Sequence, residues 1–160
     1  MSDFIHLHNH SDYSLLDAAQ TVETMCNRVA DLGMDSIAIT EHGNLFSMIP
    51  FYKSAIDAGI KPIIGCEMYV AVNKHTDRQL VTLETGKRKN YYHLVLLAMN
   101  QQGYKNLLAL TSIGYLNGFY YRPRIDKDLL KEFNEGLIAT SACLAGEVTS
   151  YAASGNYEEA

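Results

Sequence analysis

The chain has little cysteine: Cys26, Cys66 and Cys143 form an odd, widely scattered set, which excludes a disulfide framework and points to a reducing compartment. It also lacks a basic excess. Thirteen Lys and Arg against 18 Asp and Glu leave a formal charge of −5, which argues against a protein that coats nucleic acid through bulk charge, although a local basic patch can still meet phosphate. No apolar run approaches the roughly 18 residues of a membrane helix, and no basic segment leads an apolar one near Met1. The chain therefore reads as neither secreted nor membrane-spanning, with the cytoplasm as the simplest location. Repeats and low-complexity tracts are missing too. What remains is 160 residues, 48% hydrophobic and 19% charged, enough for one domain over residues 1–160 with a real core.

The pattern of apolar residues predicts short strands alternating with helices. Phe4, Ile5 and Leu7 run through an opening strand that carries His6, His8 and His10 on one face, because alternate side chains of a strand point the same way. A helix follows between Ala18 and Leu32, capped by Thr21, then a buried strand Ser36–Thr40 that delivers Glu41-His42-Gly43-Asn44 at its exit. Next come a helix from Phe46 to Ala58 and a strand from Pro62 to Val70. Residues 73–90 turn polar and read as a surface excursion or hairpin. A strand His93–Met99, a long helix through Tyr115, a short helix capped by Asp126, a strand near Gly136–Cys143 and a helix Gly146–Ala153 complete the order, with a further helix starting after Gly155. Alternation of this kind predicts parallel pairing in an α/β barrel or an open sheet. The barrel is preferred, because the polar candidates gather at strand ends. About five strands do not close one, so further chain is expected to follow.

Those candidates are His8, His10, Asp17, His42, Glu67, His93 and Cys143. Imidazole, carboxylate and thiolate together suit zinc, manganese or iron better than magnesium or calcium. Ligands spread over four strands can hold more than one ion, and paired ions suit phosphoester hydrolysis. Each residue also has a plain reading. His42 can be a loop histidine beside a helix start, Glu67 an exposed strand-end carboxylate, His93 a satisfied core histidine and Cys143 a small buried hydrophobe. Their joint occurrence is what argues for a site. His6 is read as standing behind the ligands and His75 as part of the polar excursion. The basic residues Lys87, Arg88, Lys89, Arg122 and Arg124 are candidates for guiding a DNA strand, or equally a solvated loop and a structural turn.

Six stretches carry a resemblance: His8-x-His10-Ser11-Asp12-Tyr13-Ser14-Leu15-Leu16-Asp17, Ile39-Thr40-Glu41-His42-Gly43-Asn44, Gly59 to Glu67, Tyr92-His93-Leu94, Gly118 to Asp126 and Ser141-Ala142-Cys143-Leu144. In this order, over nearly the whole chain, they resemble the polymerase and histidinol phosphatase (PHP) domains of bacterial replicative DNA polymerase III alpha subunits. The resemblance implies a distorted seven-stranded β/α barrel, here incomplete, that binds up to three divalent metal ions, zinc first among them. Its ligands fall on His8, His10, Asp17, His42, Glu67 as a bridge, His93 and Cys143. The family's closing Asp-x-His pair has no match, which implies a chain truncated at its C-terminal side. Glu41 departs from the Asp of many relatives, next to the ligand rather than at it.

Three functions are weighed on this basis. The first is a metal-dependent, 3′-5′ exonuclease-like proofreading site in a protein that also performs DNA-directed DNA synthesis. Its partners would be DNA and other replicase subunits, including a proofreading subunit and a sliding clamp. The second is a non-catalytic module that stabilises the polymerase and docks the proofreading subunit, with Tyr115, Tyr120 and Tyr121 as contact area. The third is a free-standing phosphatase of the histidinol phosphate kind, which the Phe119–Arg124 stretch disfavours because it resembles the polymerase branch.

Overall fold

A computed structural model describes residues 4–15, 17–83 and 88–160. The elements in order are α1 (Val22–Asp31), β1 (Ser36–Ile39), α2 (Met48–Asp57), β2 (Lys61–Ala71), β3 (Val81–Thr82), β4 (Arg88–Lys89), β5 (Tyr91–Ala98), α3 (Gln101–Leu116), β6 (Arg124–Ile125), α4 (Lys127–Glu132), β7 (Leu137–Thr140) and α5 (Glu147–Ala153). The helix starts follow their capping residues. Thr21 accepts from the Thr24 N–H, Asn100 from Gly103 and Asp126 from Leu129, each taking up a donor that the first turn leaves free. Pro50 falls in the first turn of α2, where its missing N–H costs nothing.

The main sheet has the order β1-β2-β5-β7, and β6 pairs β2 beyond the end of β1. β1 and β6 run parallel to β2, whereas β5 runs antiparallel to β2 and to β7. The all-parallel pairing expected from alternation therefore fails at one strand. The cause lies in the connection: the described residues between 72 and 90 contain no helix to make a parallel crossover, only the β3–β4 pair, so the chain returns in the opposite direction. The reversal matters because it brings the first residues of β5, not its last, to the rim where β1 and β7 end.

The opening segment is less regular than a strand. It joins the free edge of β1 through one bridge, His6 to Ile37, and then through hydrogen bonds from the Thr40 N–H to Asn9 O and from the Asn9 amide to His6 O and Ala38 O. The chain bends at His8. That bend breaks the alternation, so His6 does not stand behind the ligands; it is exposed, with its ring edge-on to Phe4 at 4.8 Å. Two further departures are small. β6 is a strand within a stretch read only as a turn, and residues 155–160 make one turn rather than a helix.

Side chains on the two faces of the sheet do different work. On the outer face Cys66, Met68, Val70 and Leu96 pack on Leu107 and Leu110 of α3 and on Ile125. Alongside, α1 and α2 cover β1, with Phe51 and Cys26 wholly buried. A side chain such as Phe51 contributes roughly 1.5–3 kcal/mol by leaving water. α3 comes so close to the turn before β7 that a Cβ on Gly103 would fall 1.8 Å from Gly136 O. On the inner face Gly65 opposes Leu97, Glu67 opposes Val95 and Tyr69 opposes His93. The inner face thus changes from apolar to polar toward the rim. Among the described residues no helix is long and apolar enough to cross a membrane.

Candidate metal centre

Glu67 is the centre of this rim. Its side chain is 1% exposed, and every other predicted ligand reaches it directly or through one neighbour. Oε2 lies 3.1 Å from His8 Nε2, 3.1 Å from His10 Nε2 and 3.0 Å from His42 Nδ1. Oε1 lies 2.7 Å from His93 Nδ1 and 3.6 Å from Cys143 Sγ. Asp17 joins through His42, whose Nε2 is 2.5 Å from Asp17 Oδ2. The carboxylate therefore divides the donors into two groups, His8, His10 and His42 on one oxygen and His93 with Cys143 on the other.

Each donor is delivered by a local feature. His8 and His10 follow the bend of the opening segment, and His42 follows β1 and bridges in parallel to Glu67. Gly43 then turns with φ 64°; a Cβ there would meet Pro123 at 2.8 Å and the Tyr69 ring at 2.9 Å, so the tight exit of His42 requires glycine. His93 belongs to the reversed β5 and bridges to Gly146. Cys143 Sγ lies 3.5 Å from His93 Nδ1 and accepts the Ala145 N–H at 3.4 Å.

Glu41 is the functional residue that sequence reasoning undervalued. It is 1% exposed, and its carboxylate accepts from the Ser11 N–H at 3.1 Å and from the hydroxyls of Ser11, Ser14 and Ser47. Ser14 Oγ in turn accepts the His42 N–H. One buried charge thereby ties the turn leading to Asp17 to the exit of β1 and the start of α2. The signal for it was present: two serines three apart preceding a carboxylate that adjoins a candidate ligand.

The charges are strongly coupled. Burial opposes ionisation of Glu67, but the rings of His10, His42, His8 and His93 outweigh it and hold the carboxyl far below the usual range. For His42, burial favours the neutral ring, yet Glu67 and Asp17 together raise its pKa. The His42 ring lowers that of Asp17. Burial raises the Cys143 thiol and pushes the Tyr69 phenol up to about 12.

A metal fits this arrangement better than ion pairing alone. Three overlapping sets, His8-His10-Glu67, His10-Asp17-His42 and His42-Glu67-His93, each bring their ligand atoms within 4.8 Å of one another. His10 Nδ1 and His42 Nδ1 are buried without a hydrogen-bond partner, the latter near Glu67 but out of line for a bond. Nitrogen, oxygen and sulfur donors in one cluster match zinc, manganese or iron.

The cluster forms the floor of a cavity of about 800 Å³ whose walls include Tyr69, Tyr91, Tyr115, Phe119, Tyr121 and Arg122. Among the described basic residues expected to guide a strand, Arg122 is the one that reaches the cavity, with its guanidinium 5.8 Å above the Tyr69 ring. Arg124, by contrast, is 1% exposed and donates to the carbonyls of Gly118, His75 and Asp77, so it holds backbone and offers no surface to DNA. Lys89 turns to Ala145 O, Ser150 Oγ and the Tyr92 ring, Arg88 is exposed on β4, and Lys87 lies outside the described residues.

The sequence pattern of the PHP domain family matches residues 6–160. The DNA polymerase III subunit alpha of Borreliella burgdorferi is 52% identical over 159 residues, 99% of this chain and 14% of that protein. The Helicobacter pylori protein of the same name is 53% identical over 145 residues, 91% of this chain and 11% of that protein. The chain thus spans between 11% and 14% of the length of these curated relatives. Among solved structures, an amidohydrolase from Chromobacterium violaceum with bound sulfate and no metal superposes with a TM-score of 0.49. It is 24% identical and covers 69% of this chain and 33% of that one.

Proposed function

The chain belongs to the PHP domain family, and from that premise we propose that its rim is a metal-dependent phosphodiesterase site that removes nucleotides from the 3′ end of DNA. The observation that carries the reading is the convergence on Glu67 of His8, His10, His42, His93 and Cys143, with Asp17 joined through His42. Because the relatives bear the name DNA polymerase III subunit alpha, we place the site in a protein that extends DNA, with DNA and other replicase subunits as its partners.

The ions would be held by His8, His10, Asp17, His42, Glu67, His93 and Cys143, zinc being the first choice and manganese or iron the alternatives. When bound, they supply Lewis acidity to a phosphoryl oxygen and a supply of hydroxide near neutral pH. Glu67 offers one oxygen to each group of donors and so sets them side by side. Arg122, at the mouth of the cavity, gives the non-reacting phosphate oxygens a charged donor. Tyr69, kept protonated, offers a neutral O–H at the same wall. Glu41 holds the Asp17 turn and the His42 exit in one arrangement, so that the ligands are pre-set and few side chains need ordering.

The test is release of nucleotides from a 3′-labelled single strand by metal-loaded protein, beside the same protein after chelation and the His8→Ala/His10→Ala double variant. Metal-dependent release that the double variant lacks supports the reading. Stoichiometric metal without turnover would move the site to a structural role, and turnover unchanged in the double variant would remove the ligand assignment.

A further inference from the structure

The wall of the cavity continues outward as a strip of aromatic rings that the metal chemistry does not use. Tyr115 and Phe119 line the cavity, and Tyr115 also lines a neighbouring groove of about 410 Å³ that contains Phe46. The ring centroids step from Phe46 to Tyr115 in 6.1 Å and from Tyr115 to Phe119 in 6.2 Å. Phe46 is 64% exposed and Phe119 48%, so neither ring is spent on the core.

The charge around the strip is equally specific. Although acids outnumber bases in the chain, no Asp or Glu occurs from His42 to Ile56 or from Met99 to Ile125, the two segments that build the strip. The segments that carry the strip add no negative charge to meet a polyanion, and Arg122 lines the cavity that the strip adjoins. Exposed rings flanked by such a surface suit a partner with both planar faces and negative charge, namely unpaired nucleic acid, whose bases stack on aromatic side chains whatever their sequence.

We propose that Phe46, Tyr115 and Phe119 form a stacking track for a single strand whose end enters the metal-ligand cavity. The track rests on the phosphodiesterase reading of that cavity and specifies its substrate: an unpaired strand, selected over duplex because only unpaired bases can lie on the rings.

Fluorescence anisotropy of a short labelled oligothymidylate, measured on this chain in the presence of chelator, tests the track without the metals. The wild type should bind it and should bind a duplex of the same length at least about fivefold more weakly. Phe46→Ala and Phe119→Ala should each weaken single-strand binding by about fivefold or more, whereas Phe46→Tyr and Phe119→Tyr keep it. Leu116, 82% exposed on the same groove, is the control: Leu116→Ala should bind as the wild type does. Three results would each overturn the track: no binding by the wild type, equal binding of duplex, or alanine variants that bind normally. So would an equal loss in Leu116→Ala, which would mark a general apolar patch suited to a protein partner. Because chelator removes the metals from the measurement, a failed track leaves the nuclease assay standing, and a failed nuclease assay with an intact track removes only the chemistry.

Discussion

At Asp126 one histidine meets a buried carboxylate; at Glu67 four do. The Asp126 corner is closed: Oδ2 takes the His75 Nδ1 at 2.6 Å and the His75 N–H at 3.0 Å, while Oδ1 takes the Leu129 N–H. Next to it the guanidinium of Arg124 is engaged by backbone carbonyls. At Glu67 the same residue types are in surplus, with more ring nitrogens than two oxygens can align, and two Nδ1 atoms are left buried without a partner. Residue type does not separate a structural corner from a metal centre. The surplus of lone pairs at Glu67 is what supports the proposed metal centre there.

The largest expected effect is at Glu67. Glu67→Gln should lower phosphodiesterase activity by more than the roughly 10–100-fold typical of outer partners of a metal site. Zinc is expected to raise the melting temperature of the wild type, and this variant should abolish that rise, since a ligand stabilises the state that binds it. A variant whose melting still responds fully to zinc would show that Glu67 is no more than a second Asp126.

Asp126→Asn should act in the opposite fashion, lowering stability by about 2 kcal/mol at neutral pH, equally with and without metal. Its pH dependence has a definite sign. Burial opposes ionisation, but the His75 ring and backbone and the Leu129 N–H win, taking the carboxyl from 3.8 to about 2. A lowered folded value stabilises above the unfolded one, so the wild-type advantage is complete above pH 4 or so and fades as pH falls toward 2. Denaturant titrations of both proteins across that window check it, and a constant difference would dissociate the pair from folding.

The smallest effect is expected at Glu41, which lies between the two types. Glu41→Asp draws the carboxylate back from three serine hydroxyls and should cost about 1 kcal/mol of stability and about tenfold in activity, with metal content unchanged. Loss of metal in this variant would show that the serine cradle is part of the binding site itself.

Much of this was readable before folding. The caps at Thr21 and Asp126 are local chemistry, and the apolar periodicity of α1, α2 and α3 gave helix positions to within a few residues. Seven histidine, carboxylate and cysteine positions were recognisable as a set only together, through the resemblance as well as the spacing. Strand direction was not readable from periodicity, which reports burial alone; the absence of a helical pattern between Ala71 and Tyr91 was the missed clue to the reversed β5. Nor could alternation foresee the bend at His8 that leaves His6 outside, or the enclosure of Arg124, whose partners are backbone atoms that no side-chain pattern encodes.

The pairing of β1 with β2 has a consequence for how the protein is made. His8, His10, Asp17, His42 and Glu67 all precede Ala71, the last residue of β2. A ribosome that has released only this first portion has therefore already issued five of the seven donors, together with the Glu41 cradle that orders them. His93 and Cys143 arrive later, on β5 and beyond β7. Zinc available during synthesis would meet the His10, Asp17 and His42 group first, and the reversed strand would then close over a centre already begun.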